Sequence, residues 1–146
     1  MATNILRTFD SVAVGDELEP ISIPITLQRL VMEAGANRDF SLIHHDRDVA
    51  RATGAPDAYM NTFFIAGMLE RLLREWMGHA GQLNKITNLR MQVFNPVGET
   101  VSFAGRVTGK DDKTARVELE LWSETSAGQT VTAMATVTLP NRDQPL

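Results

Sequence analysis

The residues best suited to acid–base chemistry are concentrated in one short stretch that has no regular hydrophobic period. It contains two adjacent histidines and three aspartates, His44, His45, Asp39, Asp46 and Asp48. Because histidine changes its charge near neutral pH, a polar loop of this composition is a place where a catalytic site is expected. A structural interpretation stays open beside it, since histidines in loops are more often solvated and Asp46 can cap a following helix.

Other chemistries lack the residues that they need. The chain has no cysteine, which excludes disulfides, thiolate nucleophiles and Cys-ligated metal sites. The side chains of the adjacent His44 and His45 diverge and no third neutral ligand lies nearby, so we expect no metal ion. No G-x-S-x-G elbow supports a serine nucleophile, and neither a P-loop nor a G-x-G-x-x-G motif occurs.

The composition is that of one globular domain, which we expect to span residues 1–146. Apolar residues make up 43% of the chain and charged residues 22%. The 14 basic residues are outnumbered by 18 acidic ones, which argues against a nucleic-acid binder. No apolar stretch reaches the roughly 20 residues of a membrane span, and the N-terminus lacks a signal-peptide pattern. We therefore expect a cytoplasmic protein without a membrane partner.

Short elements are predicted for the first half of the chain. Ile21, Ile23 and Ile25 alternate with polar or small residues and indicate a strand within 11–25, which Pro24 places at a sheet edge. Helices are predicted over 27–34 and 47–53, each preceded by a capping residue and followed by glycine. The stretch 36–45 between them is predicted to be a loop.

A long amphipathic helix over 61–77 is the clearest predicted element. Its apolar residues recur at helical spacing, namely Ile65, Met68, Leu69, Leu72, Leu73 and Trp76. Phe63 and Phe64 lie outside this stripe, so we expect the first turns to be buried all round. Beyond residue 84 the hydrophobic period becomes two, which predicts strands over 86–94, 100–108, 114–123 and 130–139. An α+β fold follows, in which an antiparallel sheet wraps around the long helix.

The stretch from Arg38 to Asp46, with the sequence RDFSLIHHD, resembles the hydratase motif of the MaoC-like dehydratases. These are R-specific enoyl-CoA hydratases of the hot-dog fold, and their motif reads roughly D-x-N-P-[IL]-H-x-D. Ser41 stands where the family usually has Asn, and Leu42 where it usually has Pro. The likeness covers nearly the whole chain. It is closest to a subfamily that acts on steroid side-chain enoyl-CoA thioesters, in which a catalytic subunit can pair with a different MaoC-like subunit.

The resemblance implies a reaction and a set of site residues. The reaction adds water to a trans-2-enoyl-CoA and gives a (3R)-3-hydroxyacyl-CoA, without a metal or redox cofactor. Asp39 matches the family's catalytic aspartate and His44 its histidine, with Ser41 and Asp46 in supporting positions. We expect Asp39 to be the main base and His44 to orient the water. A backbone amide near Asn61 or Thr62, at the start of the long helix, would face the thioester oxygen.

Two rival functions and the assembly stay open at this point. A hot-dog thioesterase would cleave the acyl-CoA instead of hydrating it, and a non-catalytic subunit would only complete a partner's site. The predicted strand over 86–94 is an edge without charges facing inward or an internal proline, so we expect it to pair with a second subunit. Our expectation is a homodimer, with a heteromer containing a second MaoC-like subunit as the alternative.

Overall fold

The computed structural model describes residues 7–141, which form one five-stranded antiparallel sheet and three helices. The elements are β1 (Ile21–Pro24), α1 (Leu27–Asn37), α2 (Arg47–Ala52), α3 (Thr62–Met77), β2 (Gln82–Met91), β3 (Thr100–Asp111), β4 (Arg116–Thr125) and β5 (Gly128–Thr138). Short 3₁₀ turns occupy Phe9–Ser11 and Leu42–His44. The strand order is β1-β3-β4-β5-β2, so β1 and β2 are the edges.

The core lies between one face of the sheet and helix α3. Alternate residues of the three central strands point inward and are buried, as the period of two predicts; Phe103, Leu119 and Val137 are examples. Helix α3 supplies the other side through Ile65, Met68, Leu69, Leu72, Leu73, Trp76 and Met77. The predicted sheet wrapped around a long helix is therefore observed among the described residues.

The start of α3 differs from its prediction. Asn61 is the N-cap rather than the first helical residue, and its Oδ1 accepts a hydrogen bond from the Phe64 N–H at 2.7 Å. Phe63 is 65% exposed and Phe64 is half-buried, so the expectation of burial all round the first turns is wrong. The reason is geometric, because Phe63 lies outside the stripe that faces the sheet and nothing in the described chain covers that side.

Helix α1 runs past its predicted end at Ala34 to Asn37, through Gly35. The predicted N-cap is confirmed, since Thr26 accepts from the Arg29 N–H. The helix ends at Arg38, which has a left-handed backbone with φ 57°, and the Asp39 N–H closes the turn on the Ala34 carbonyl at 2.9 Å. This turn redirects the chain immediately before Asp39.

The two edge strands have different irregularities. Pro24 lies at the outer edge in β1, as predicted, because proline cannot donate to a further strand. Strand β2 covers Gln82–Met91 instead of 86–94, and its register with β5 breaks twice, between Leu83 and Lys85 and between Thr87 and Arg90. Pairing with residues 131–138 of β5 extends β2 to Gln82 despite its polar residues.

The hairpin of β3 and β4 is longer than its sequence pattern indicates. Strand β3 continues to Asp111 instead of ending at residue 108, and the chain turns at 112–115. Beyond the turn, β4 begins at Arg116, two residues later than predicted. The carboxylate of Asp111 holds this turn by accepting from the Lys113 N–H and the Thr114 hydroxyl. Within residues 7–141, no helix is both long and apolar enough to cross a membrane.

Candidate active site

Asp39 and His44 are brought into contact by the loop between α1 and α2. Nε2 of His44 lies 3.3 Å from Oδ2 of Asp39. Residue His44 is 6% exposed, whereas the Asp39 side chain keeps about a quarter of its surface open. The 3₁₀ turn Leu42–His44 places the imidazole beside the carboxylate. The pair therefore has one buried member and one member that a small molecule can reach.

The orientation of the His44 ring is set by Tyr59. Nδ1 of His44 lies 2.8 Å from the main-chain oxygen of Tyr59, which can only accept a hydrogen bond. Nδ1 must therefore carry the proton, and Nε2 is the atom that is free to exchange one. The Tyr59 ring packs edge-on against the imidazole at 5.4 Å between centroids.

Two sets of contacts hold Tyr59 in place. The segment around it pairs with the chain that precedes β3, through hydrogen bonds from Met60 N to Asn95 O and from Val97 N to Ala58 O. On the other side, Asp57 is clamped by α2. Arg47 binds both of its oxygens, with Nε 2.8 Å from Oδ1 and Nη2 2.5 Å from Oδ2. Through Arg47, α2 therefore holds the loop that carries Tyr59 in position.

The hydrogen bonds from Arg47 strongly shift the pKa of the Asp57 carboxylate. Hydrogen bonding to Arg47 lowers the pKa of Asp57 to about 2, and the Ala58 N–H and the charge of Arg51 act in the same direction. Burial opposes the shift without cancelling it. Asp57 is therefore ionised at neutral pH and serves the structure rather than proton transfer.

The N-terminus of α3 faces the Asp39–His44 pair through Asn61. Nδ2 of Asn61 donates to Oδ2 of Asp39 at 3.1 Å, and Asn61 is 4% exposed. The N–H of Thr62, at the first helical position, has no intrahelical acceptor, as is general for the first turn of a helix. Its partial positive charge, together with the helix dipole, makes this end favourable for a developing negative charge.

The other predicted site residues have different roles. The Ser41 N–H lies 3.3 Å from Oδ1 of Asp39, whereas the residue itself is exposed. Asp46 caps α2, where it accepts from the Asp48 and Val49 N–H groups, and no hydrogen bond joins it to the pair among the described residues. His45 is half-buried and follows the 3₁₀ turn as its C-cap.

Several groups around the pair have no signal in the sequence. The Tyr59 carbonyl and the Arg47–Asp57 ion pair involve a segment whose sequence looks like that of an ordinary loop. Glu33, in α1, lies near both Asp39 and His44 and near the Asn61 side chain. Nothing in the sequence indicates Glu33, because its proximity depends on how α1 packs beside the start of α3. Within the described residues, no three His, Asp or Glu side chains converge in a way that could hold a metal ion.

The arrangement can hold one water molecule for attack. A water placed between Nε2 of His44 and the Asp39 carboxylate can donate a hydrogen bond to each. Both lone pairs of its oxygen then remain available to an electrophile. A substrate carbonyl oxygen at the start of α3 would lie beside the same pair. Acid–base groups and a site for a developing negative charge are thus adjacent.

Comparison with known proteins identifies the family. No protein-family profile matches the chain. The 3-oxo-4,17-pregnadiene-20-carboxyl-CoA hydratase beta subunit of Mycobacterium tuberculosis is 35% identical over 114 residues, covering 78% of this chain and 84% of that protein. The chain belongs to the MaoC-like hydratase family. The expected enzyme class, a hydro-lyase, is confirmed by the same relationship.

Solved structures of MaoC-like proteins confirm the hot-dog fold. The chain matches the ChsH1–ChsH2 complex from Mycobacterium tuberculosis with a TM-score of 0.81 and 30% identity, over 87% of this chain and 98% of that one. The (R)-hydratase from A. caviae gives a TM-score of 0.81 at 23% identity, covering 89% of this chain and 98% of the other. At that identity the second match shows the fold alone.

Proposed function

We propose that this MaoC-like protein reversibly adds water to a trans-2-enoyl-CoA and forms a (3R)-3-hydroxyacyl-CoA. The contact between Asp39 and His44 beside the N-terminus of α3 carries the proposal. It places a base, an acid and a site for negative charge next to one another. All three are needed to hydrate a conjugated thioester.

Asp39 is the main base in this mechanism. The bound water donates one proton to its carboxylate while the water oxygen forms a bond to C3 of the acyl chain. His44 orients the water through Nε2, because its Nδ1 proton is held by the Tyr59 carbonyl. The pair then delivers a proton to C2. The product has gained the elements of one water molecule, and Asp39 and His44 are back in their starting states.

The electrons of the alkene move onto the thioester oxygen during attack. The N-terminal amides of α3 are the donors that we assign to this oxygen, with Thr62 N–H foremost. The Phe64 N–H is already bound to Asn61 Oδ1 and the Ile65 N–H to the Asn61 carbonyl at 3.2 Å, so neither is available. The proposed reaction needs no metal or redox cofactor, and coenzyme A enters only as part of the substrate.

We infer the substrate class and the assembly from the names of the relatives. A relative named as a hydratase of a pregnadiene carboxyl-CoA favours an acyl group on a steroid side chain over a short straight chain. Its name as a beta subunit and the ChsH1–ChsH2 complex favour assembly with a second hot-dog subunit. The homodimer predicted from the sequence stays a prediction.

Large apolar side chains are exposed around the candidate site and beside the edge strand β2. They are Phe40 and Leu42 in the loop between α1 and α2, Phe63 at the start of α3 and Val93 just beyond β2. Exposed apolar groups of this size commonly mark a protein interface. An interface here would also enclose the pair and exclude bulk water from it.

The deciding experiment assays the purified chain on a panel from crotonyl-CoA to steroid enoyl-CoAs. Loss of the enoyl absorbance and chiral analysis of the product are measured together with release of free thiol. We expect hydration to the (3R) product without thiol release. Thiol release without hydration would instead show a thioesterase. The panel is run with the chain alone and with a second MaoC-like subunit, and light scattering gives the mass of each assembly.

A further inference from the structure

A groove between helices α1 and α3 has no part in the acid–base chemistry described above. It is a cavity of about 340 Å³, and both helices contribute side chains to its wall, namely Arg29, Met32, Glu33, Phe64, Met68 and Arg71. We refer to it as the α1–α3 groove. Sites for small molecules have this size, and they combine apolar walls with a few polar groups in the same way.

One end of the α1–α3 groove adjoins the Asp39–His44 pair. In α1, the residue after Glu33 is Ala34, whose carbonyl accepts the Asp39 N–H at 2.9 Å. In α3, the N–H of Phe64 donates to Asn61, whose Nδ2 donates to Asp39 at 3.1 Å. Both helices therefore lead from Asp39 into the groove. An acyl chain whose thioester lies at the start of α3 can enter it.

The middle of the groove is apolar. Ile23 of β1 and Met68 of α3 are 7% and 8% exposed and form its inner wall, and Phe64 beside them is half-buried. Met32 borders the groove from α1 and is 65% exposed. Methionine has a flexible side chain that packs against irregular apolar shapes. The groove therefore suits a bulky apolar group better than a polar one.

The far end of the groove carries two arginines. Arg29 lies one turn before Glu33 in α1, and Arg71 lies two turns beyond Phe64 in α3, which is about 10 Å along the helix axis. Within residues 7–141, Arg29 forms no ion pair. Arg71 binds Glu75 through Nε at 2.7 Å, which leaves its Nη groups as donors. A guanidinium group can donate hydrogen bonds but cannot accept them.

The charges around the groove favour a neutral acceptor over an anion. The two guanidinium charges of Arg29 and Arg71 are matched by two carboxylates, Glu33 in the wall of the groove and Glu75 on Arg71. An anionic group would therefore gain little net attraction. A carbonyl oxygen needs only the donors that the arginines offer.

We propose that the α1–α3 groove binds the acyl group of the substrate, and that Arg29 and Arg71 select acyl groups with a ketone oxygen at the end remote from the thioester. This inference rests on the proposed hydratase function and adds the location and the recognised feature of the acyl group. The apolar wall binds the body of the group. The two arginines donate to the ketone about 10 Å from the start of the groove.

The first test compares two steroid enoyl-CoAs that differ only in a ketone on the ring farthest from the thioester. We expect kcat/KM to be at least about tenfold higher for the ketone, as for a hydrogen bond to a charged donor. Arg29→Met and Arg71→Met should each reduce this preference. Arg74→Met is the matched control, because Arg74 pairs with Glu70 on the same helix but does not line the groove. It should keep the preference of the wild type.

The second test fills the groove. Met32→Trp places a larger side chain at an exposed position, so it should not strain the core. We expect it to lower kcat/KM for the steroid substrates relative to that for crotonyl-CoA, by at least about tenfold. Val31→Trp makes the same kind of change at the neighbouring exposed residue, which does not line the groove, and should keep the ratio. Light scattering checks that both variants keep the mass of the wild-type assembly.

A binding measurement separates this inference from the hydratase proposal. Calorimetry with a saturated analogue of the ketone substrate, which has no double bond to hydrate, should show tighter binding than the analogue without the ketone. Equal kcat/KM for the two steroid substrates would overturn the inference and leave the hydratase function standing. So would a preference that both arginine variants retain, or a Met32→Trp variant with an altered mass and an unchanged ratio. Preferential binding of the ketone analogue by a protein that hydrates no enoyl-CoA would disprove the hydratase proposal and keep the groove as a binding site.

Discussion

The main-chain oxygen of Tyr59 accepts a hydrogen bond from Nδ1 of His44 at 2.8 Å, across 15 residues of sequence. This bond assigns the proton to Nδ1 and leaves Nε2 facing Asp39. The chemistry of the pair therefore depends on a carbonyl group, which any side chain at position 59 would supply. It also depends on the contacts that hold that carbonyl in position, from α2 on one side and from the chain before β3 on the other.

The Asp39–His44 pair should be essential for hydration. Asp39→Asn and His44→Ala should each lower kcat/KM by at least about 100-fold, the low end for loss of acid–base catalysis. Both residues lie outside the regular helices and strands, so circular dichroism should show the wild-type fold. The double variant should be little worse than either single one, because the two act as a unit. Near-normal turnover by either single variant would remove the assignment.

His45→Ala is the matched control for the pair. Its side chain belongs to the neighbouring residue, and the contacts with Asp39 and Tyr59 are both made by His44. We expect His45→Ala to keep most of the activity in the same assay. An inactive His45→Ala beside an active His44→Ala would mean that the catalytic histidine is misassigned by one residue.

Thr62→Pro should distinguish the role of the Thr62 backbone N–H from that of its side chain. Thr62 is the first residue of α3, where proline is well tolerated, and Asn61 before it already has the extended backbone that a proline requires. The variant should therefore fold normally but lack the N–H that we assign to the thioester oxygen. We expect kcat to fall about 100- to 1,000-fold, as for loss of an oxyanion donor. Thr62→Ala keeps the N–H and should stay active; equal activity of the two variants would exclude this amide.

Asn61→Asp should keep the helix cap and lose the hydrogen bond to Asp39. Aspartate caps helices as well as asparagine does, so circular dichroism should show the wild-type helix content. However, the variant replaces an N–H donor by a carboxylate oxygen beside Asp39, and kcat should fall at least about tenfold. Thr26→Ala is the comparison, since it removes the cap of α1. It should cost about 1 kcal/mol in urea unfolding with no loss of turnover. Full activity of Asn61→Asp would contradict the role given to the amide.

Asp57→Asn should weaken the protein in a pH-dependent way. Because the variant loses the hydrogen bonds between Arg47 and a charged carboxylate, it should be about 2 kcal/mol less stable at neutral pH. Because the folded pKa of Asp57 is about 2, below its ordinary value of 3.8, the stabilisation is complete above the ordinary value. It is lost as the pH falls through about 2, so the two unfolding curves should converge in acid. Asp48→Asn, which alters an exposed side chain, should differ from wild type by less than about 0.5 kcal/mol.

Local patterns in the sequence predicted the elements that have strong periods. The stripe from Ile65 to Trp76 predicted α3, and the alternation around Phe103 and Leu119 predicted the sheet face that covers it. The caps at Thr26 and Asp46 were also predictable, because a cap depends only on residues within one turn. The motif indicated Asp39 and His44 as partners, and the structure brings their side chains into contact.

Only the tertiary structure decided what surrounds that pair. Glu33 lies near the site because α1 packs against α3. Tyr59 offers its carbonyl to His44 because α2 clamps Asp57 and the chain at Asn95 pairs with Met60. The exposure of Phe63 likewise could not be predicted from its residue type. Hydrophobic period and capping are local properties of a chain, whereas these contacts join residues far apart in sequence and arise only when the helices pack together.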